Sequence, residues 1–353
     1  MQKRWQTIRD VTMASAMSLV LYASGLLVIF TPLPLFYVYV LRGRKAGLGS
    51  VALAFSIAIA AYVFALFLFQ QGIGSAGIAG IEGSPIAIPG TTLTGSFSRE
   101  VLFAIGTGYF LFFSVIACLL GEGALRKFAL ITWGSSATAG GMAVIFAMIA
   151  WFFLSGHAEI LQNMRGFLEG IVTEVVKVQT SAAPNTGVTA LLAERIPEIA
   201  GAMFTLMPAI LFVFTLLCAV INMLVGRRII RKRHAFTHLH NVARFKLPDE
   251  AVWVVILCAL AFLGNAALPT SKWISIISQN GLICAGALYF FQGLAVVVYF
   301  LQKVKLPLVK VGAYAMILMF FQAVGLIIIA VGIADVWADF RLRSWRASHG
   351  RET

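Results

Sequence analysis

Apolar runs of about 20 residues recur along the chain, divided by short polar segments. They cover residues 11–30, 48–69, 101–120, 129–154, 201–225, 251–268, 276–301 and 311–331, with a shorter apolar piece at 31–41. A bilayer core is ~30 Å thick, which a helix crosses in ~20 residues and a barrel strand in ~10. Backbone groups in lipid must find partners within the protein, so runs of this length predict helices. The pattern predicts an all-α, polytopic integral membrane helix bundle of about nine transmembrane helices, in a range of about eight to ten. Thr31-Pro32-Leu33-Pro34 breaks the first run, because proline lacks a donor and clashes with the preceding turn. Residues 31–41 then read as a short second crossing. Residues 70–100, rich in Gly, Ser, Thr and Pro, read as an extracytoplasmic loop, in part re-entrant.

One stretch carries a different periodicity. Between 155 and 198, Ile160, Leu161, Met164, Phe167, Leu168, Ile171, Val172 and Val175 recur at helical spacing. Glu159, Gln162, Asn163, Arg165, Glu169 and Glu174 fill the opposite face. This predicts an amphipathic helix on the outer membrane surface, broken at 181–187, with a shorter second helix over 188–199. The organisation that follows is an N-terminal membrane bundle (1–154, about five spans), an extracytoplasmic helical insert (155–198), a C-terminal bundle (199–343) and a polar tail (344–353).

Charge adds orientation. Lys and Arg gather in every second loop, at Arg42, Arg44 and Lys45; at Arg126 and Lys127; along 227–233; and at Lys303, Lys305 and Lys310. With the N-terminus in the cytoplasm, cytoplasmic segments before the tail hold 18 Lys and Arg, and external ones hold 5. This bias places the protein in a bacterial inner membrane with its N-terminus cytoplasmic. The tail breaks the rule: nine crossings put Arg341, Arg343, Arg346 and Arg351 outside, whereas a tail inside gives 22 against 5. Residues 306–340 suit either one tilted helix or two short segments bent near Gly325.

Composition excludes several function classes. Only 12% of residues are charged and 60% are hydrophobic, with a mean hydropathy of +0.92. The net charge of +13 sits mostly in loops beside spans, so the partners it implies are the bilayer and anionic lipid, with a membrane-protein partner, rather than nucleic acid. Cys118, Cys218, Cys258 and Cys284 lie inside apolar runs without a CxxC pair and read as small hydrophobes. The basic head before residue 11 leads into a run of span length, which reads as a retained helix rather than a cleaved signal. Walker A, GxSxG and HExxH patterns are absent. His234, His238 and His240 stand among cations, which oppose a metal. No enzyme, cofactor or metal is expected.

Polar groups at membrane depth are the remaining candidates. Glu122 is expected to pair with Arg126 one turn on. In the run 276–301, Gly281, Ala285, Gln292 and Tyr299 share a stripe that Asn280 begins. Asn280, Gln292, Tyr299 and Gln322 are the candidate ligand contacts; Asn222 is a further buried amide. Such amides either read a neutral polar ligand or join helices. Asp335 and Asp339 sit one turn apart at a helix C-terminus, where the dipole disfavours carboxylates. They therefore need cationic partners, such as Arg343 or a basic loop elsewhere. With Arg341 they form a candidate docking site for a partner or ligand, or a structural anchor.

The C-terminal half resembles the YybS-like family of uncharacterised bacterial membrane proteins. The resemblance rests on Met207-Pro208, on Asn222 before the Arg run, on Phe245-x-Leu247-Pro248, and on Gln292-Gly293-Leu294-Ala295-Val296. Its strongest motif is Gly332-Ile333-Ala334-Asp335-Val336-Trp337-Ala338-Asp339-Phe340-Arg341. That family has no established activity, so no catalytic residue follows. The N-terminal Pro break, short second helix and Arg-Gly-Arg-Lys-Ala-Gly are similar in outline to the S-components of energy-coupling-factor vitamin transporters. This second resemblance implies a small-solute binding or transport subunit. The chain departs from S-components in its extra spans and external insert. The competing expectation is a non-enzymatic scaffold or regulator of an envelope complex.

Overall fold

The computed structural model describes residues 2–70, 87–88, 91–92, 99–156, 159–182, 194–233, 243, 245–268 and 271–349. Its helices are α1 (Gln2–Ala23), α2 (Pro32–Arg42), α3 (Arg44–Gln70), α4 (Arg99–Leu125), α5 (Leu130–Leu154), α6 (Glu159–Ala182) and α7 (Ile196–Thr205). There follow α8 (Met207–Arg233), α9 (Ala251–Ala267), α10 (Lys272–Lys303), α11 (Pro307–Met319), α12 (Phe321–Ala338) and α13 (Phe340–His349). The described extended pieces are Ala87–Ile88 and Thr91–Thr92, a two-residue antiparallel ladder.

The all-α membrane architecture is as predicted. Among the described residues five helices, α3, α4, α5, α8 and α10, contain stretches long and apolar enough to cross a bilayer, and α11 with α12 makes a sixth if counted together. Nine crossings would also need α1, α2 and α9, which fall below that length or hydropathy. The described chain forms two compact units. The first comprises Met1–Arg126, Gly134–Met207 and Phe214–His234; the second comprises Lys127–Trp133, Pro208–Val213 and Ala235–Thr353.

In the first unit, α1 takes in the basic head and stops at Ala23 instead of running to residue 30. Ser24 accepts a hydrogen bond from Leu27 N–H, and Gly25 turns the chain at φ 66°. A 3-10 turn, Val28–Phe30, then leads into α2. At ~1.5 Å per residue, the 11 residues of α2 span ~16 Å, half a bilayer. Protein surrounds it instead of lipid: Leu35, Phe36, Val38, Tyr39 and Val40 are buried, against α1, α3 and α4. The Tyr39 ring lies where side chains on Gly47 of α3 and Gly121 of α4 would overlap it. Gly43, at φ 86°, makes the reversal from α2 into α3. Glu122 pairs with Arg126 as expected, and also receives Arg44 and the Tyr39 hydroxyl.

The insert differs in register. Leu168, Val172 and Val176 are the buried stripe of α6, whereas Val175 is exposed. A straight helix keeps positions i, i+4 and i+8 on one face, which moves the stripe onto Val176. α6 packs on α7. The second insert helix expected over 188–199 falls largely outside the described residues. The sixth apolar run is split. Residues 201–205 belong to α7, and Leu206 separates it from the long helix, which begins at Met207 with Pro208 in the first turn, where a missing N–H costs nothing.

The second unit is built on α10, 32 residues or ~48 Å long. Ser271 caps it by accepting from Trp273 N–H at 3.2 Å. α9 lies alongside, with Val252 in one apolar cluster with Tyr289, and Cys258 against Gly281. The last apolar run is not one helix. α11 and α12 meet at a 106° bend, which falls at Phe320 and not near Gly325.

Candidate functional site

The candidate residues of the second unit gather where α10 and α12 touch. Gly293 and Gly332 let the two backbones meet: a side chain on Gly293 would overlap the Ile328 carbonyl, and one on Gly332 the Tyr289 carbonyl. Gln292 lies beside this contact, 0% exposed. Its Oε1 accepts from Leu247 N–H at 3.0 Å, and its Nε2 donates to the Gly332 carbonyl at 3.1 Å. One amide thus fastens α10 to α12 and to the segment before α9. Both ends of Gln292 are engaged by the fold, which is the geometry of helix joining rather than of an open ligand contact.

At the end of α12 the carboxylates find their cations. Asp335, 0% exposed, accepts from Arg341 Nη2 at 2.6 Å. Arg341 Nη1 also donates to the carbonyls of Ala243 and Phe245, at 3.0 and 2.8 Å. Asp339 caps α12 in the left-handed region (φ 42°), a conformation that Asp tolerates better than most residues. Its partner is Lys246 Nζ at 3.1 Å, which also meets Asp249 at 3.1 Å. Arg343, the partner expected from spacing, instead donates its backbone N–H to the Asp339 carbonyl. Partial burial pulls the Lys246 ammonium down, but its bonds to Asp339 and Asp249 outweigh this and hold its pKa above the ordinary lysine value. The Tyr299 hydroxyl donates to the Arg341 carbonyl at 3.2 Å, and Lys303 lies over the Tyr299 ring and reaches Ser344 Oγ at 2.6 Å.

Five sequence candidates therefore belong to one framework: Gln292, Tyr299, Asp335, Asp339 and Arg341. Asn280 stands apart, 12 residues or ~18 Å along α10 from Gln292. Its Oδ1 accepts from Ala209 N–H at 2.9 Å, satisfying a free donor in the first turn of α8. Its Nδ2 donates to the Ile276 carbonyl. Gln322 is exposed on the first turn of α12, ~15 Å along that helix from Gly332, and does not join Gln292. Asn222, in the first unit, donates to the Ile29 carbonyl at 2.7 Å. His234, His238 and His240 lie outside the described residues. Spacing along single helices missed Lys246, Tyr289, Gly293 and the Ala243 and Phe245 carbonyls. The available signal was Phe245-x-Leu247-Pro248, whose intervening residue is Lys246.

The first unit holds a cavity of about 170 Å³ between α1, α3 and α4. Tyr22, Phe55, Tyr62, Phe103 and Phe110 line it with Thr107. Its wall is a set of ring contacts: Tyr22 on Phe110, Phe55 on Phe110 and Tyr62 on Phe103. Tyr22 spends its hydroxyl on the Gly106 carbonyl at 2.8 Å, so the surface it presents to the cavity is its ring.

A family model described as a predicted membrane protein, DUF2232, matches residues 91–336. The chain belongs to this family. No curated protein matches it, and no solved structure does. The match takes in Gln292, Gly293, Gly332 and Asp335, and stops short of Asp339 and Arg341. With this membership and its apolar helices, the chain is a multi-pass membrane protein. The family carries no indication of an enzyme activity.

Proposed function

We propose that the protein is a small-solute binding subunit, S-component-like, that holds a poorly charged, ring-sized ligand in the aromatic cavity of its first unit. The cavity of about 170 Å³ is the observation that carries this reading. An apolar cavity of ~150 Å³ accepts benzene, so this one suits a single ring with small substituents. Five aromatic walls favour stacking, and Thr107 supplies a hydroxyl. The amides Asn280 and Gln292 are committed to the fold, so the ligand contacts move from the C-terminal amides to Tyr22, Phe55, Tyr62, Phe103 and Phe110. The bias of 18 cytoplasmic against 5 external Lys and Arg supports a bacterial inner membrane with the N-terminus inside.

Indole serves as the probe. It should raise the unfolding temperature of the purified chain, and Thr107→Phe, which fills the cavity, should abolish that rise while Gln292→Leu keeps it. No stabilisation of the unsubstituted chain, or equal stabilisation of Thr107→Phe, overturns the reading.

A second reading is a non-enzymatic scaffold or regulator of an envelope complex. The inward bonding of Gln292, Asp335 and Arg341 favours it, because side chains spent on joining α10, α12 and the segment before α9 make a rigid base.

A further inference from the structure

The tail poses a problem that α10 answers. Contacts pair Gln292 with Gly332, Tyr299 with Arg341 and Lys303 with Ser344, so α10 and α12 advance in the same direction and end together. α11 sets out within four residues of Lys303, and α12 brings the chain back beside Tyr299. If straight, the 13 residues of α11 and 18 of α12 would separate their ends by ~47 Å. The 106° bend turns α12 out of the line of α11, and the contacts of Tyr299 with Arg341 and of Lys303 with Ser344 place the end of α12 at the end of α10 from which α11 departs. Alone, α11 reaches ~20 Å and α12 ~27 Å, each short of a ~30 Å core.

Among the described residues of α11 no side chain is buried. Leu308 is 83% exposed, Met319 78%, Val311 66% and Met316 56%, which together make one apolar face about 140° wide, and exposed Val309 and Tyr314 extend it. An uncovered apolar face of this extent belongs in an apolar medium. The chain around the start of α11 is basic: Lys303, Lys305 and Lys310 stand before and in its first turn, and Lys303 meets Ser344 of α13, which also carries Arg343 and Arg346. Such a rim matches anionic headgroups.

We infer that α11 and α12 form a re-entrant pair that dips into the membrane from the face carrying Lys303 and returns to it. The surface of α11 is covered by the acyl chains of that leaflet, and its basic rim by anionic headgroups. The tail helix α13 then lies on the same face as the segment before α9, where Lys246 meets Asp339. This restores the charge rule, with 22 Lys and Arg on the cytoplasmic side against 5. The inference is independent of the solute reading.

The test uses the purified full chain, its four native cysteines replaced by alanine, in vesicles of phosphatidylglycerol and phosphatidylethanolamine at one chain per vesicle. Single cysteines are placed by Glu250→Cys before α9, Lys272→Cys at the opposite end of α10, Ser348→Cys in the tail and Met319→Cys at the bend. An impermeant maleimide should label the tail position from the side that labels position 250, and never from the side that labels 272. Position 319 should resist it from both sides and react with a membrane-permeable maleimide. A tail labelled together with 272 means that the pair spans the membrane; a bend labelled from water means that lipid does not cover α11. Either result overturns the inference. His349→Cys replaces Ser348→Cys if that variant fails to fold.

Discussion

Gly293 of α10 rests against the Ile328 carbonyl of α12, with no room for a side chain between them. Backbones this close exchange dispersion contacts along a whole turn, which is how small residues hold membrane helices together where lipid offers no hydrophobic drive. Gly293→Val should therefore destabilise the second unit by about 1–3 kcal/mol or more, the usual cost of overpacking. Gly286→Ala is the control, since its added carbon meets Ile329 Cδ1 at 3.9 Å, an ordinary contact. It should leave stability unchanged or raise it by up to ~1 kcal/mol through helix propensity. Thermal unfolding in detergent separates the two; equal losses would mean that the glycine contact is not what joins α10 to α12.

Arg341→Met leaves Asp335 buried without its cation. Removing one member of a buried pair costs about 3–5 kcal/mol, whereas replacing both by apolar groups is often neutral. Arg341→Met should thus lower the unfolding temperature strongly, and Arg341→Met with Asp335→Leu should recover most of the loss. A double variant as unstable as the single one would show that packing, rather than the uncompensated charge, dominates.

Gln292→Leu strips partners from Leu247 N–H and the Gly332 carbonyl. Orphaned buried polar groups cost about 1–3 kcal/mol, so unfolding should move down by that amount. Hydrogen exchange should rise at Leu247, since its amide loses its acceptor. Protection unchanged there would mean that the segment before α9 is held without the amide.

The Lys246 ion pairs set an alkaline limit. Their partners hold the Lys246 pKa above the ordinary lysine value of ~10.4. A raised lysine pKa contributes stability that is fully present below the unfolded-state value and is lost as pH rises through the folded one. The stability difference between the unsubstituted chain and Lys246→Met should therefore hold constant from neutral pH to about pH 10 and shrink beyond it. A difference that fades between pH 7 and 9 would assign the effect to another group.

Some of this framework was legible in sequence and some was not. Glu122 in the last turn of α4 and Arg126 just past its end are four residues apart, so spacing alone paired them. The dipole argument required cations for Asp335 and Asp339 and offered Arg343, a neighbour along the chain, or a basic loop elsewhere; the fold supplies Arg341 across a capped turn for Asp335 and, from the loop before α9, Lys246 for Asp339. Gln292 and Gln322 looked alike as amides in apolar runs; one is sealed between three segments, the other faces outward. The aromatic cavity had no linear signal, because Tyr22, Phe55 and Phe103 come from three helices.

Hydropathy determined that long helices exist and roughly where they lie, because transfer into lipid is a sum over local residues. The charge bias predicts which loops share a face, and it marks the tail as the exception. Neither determined the path of residues 306–340. A straight span and a bent pair bury the same apolar side chains in lipid, so the local sum is indifferent between them. The choice was made by contacts distant in sequence: Gly293 on Ile328, Gln292 on Gly332 and Tyr299 on Arg341, which hold α12 alongside α10 and return the chain to Lys303.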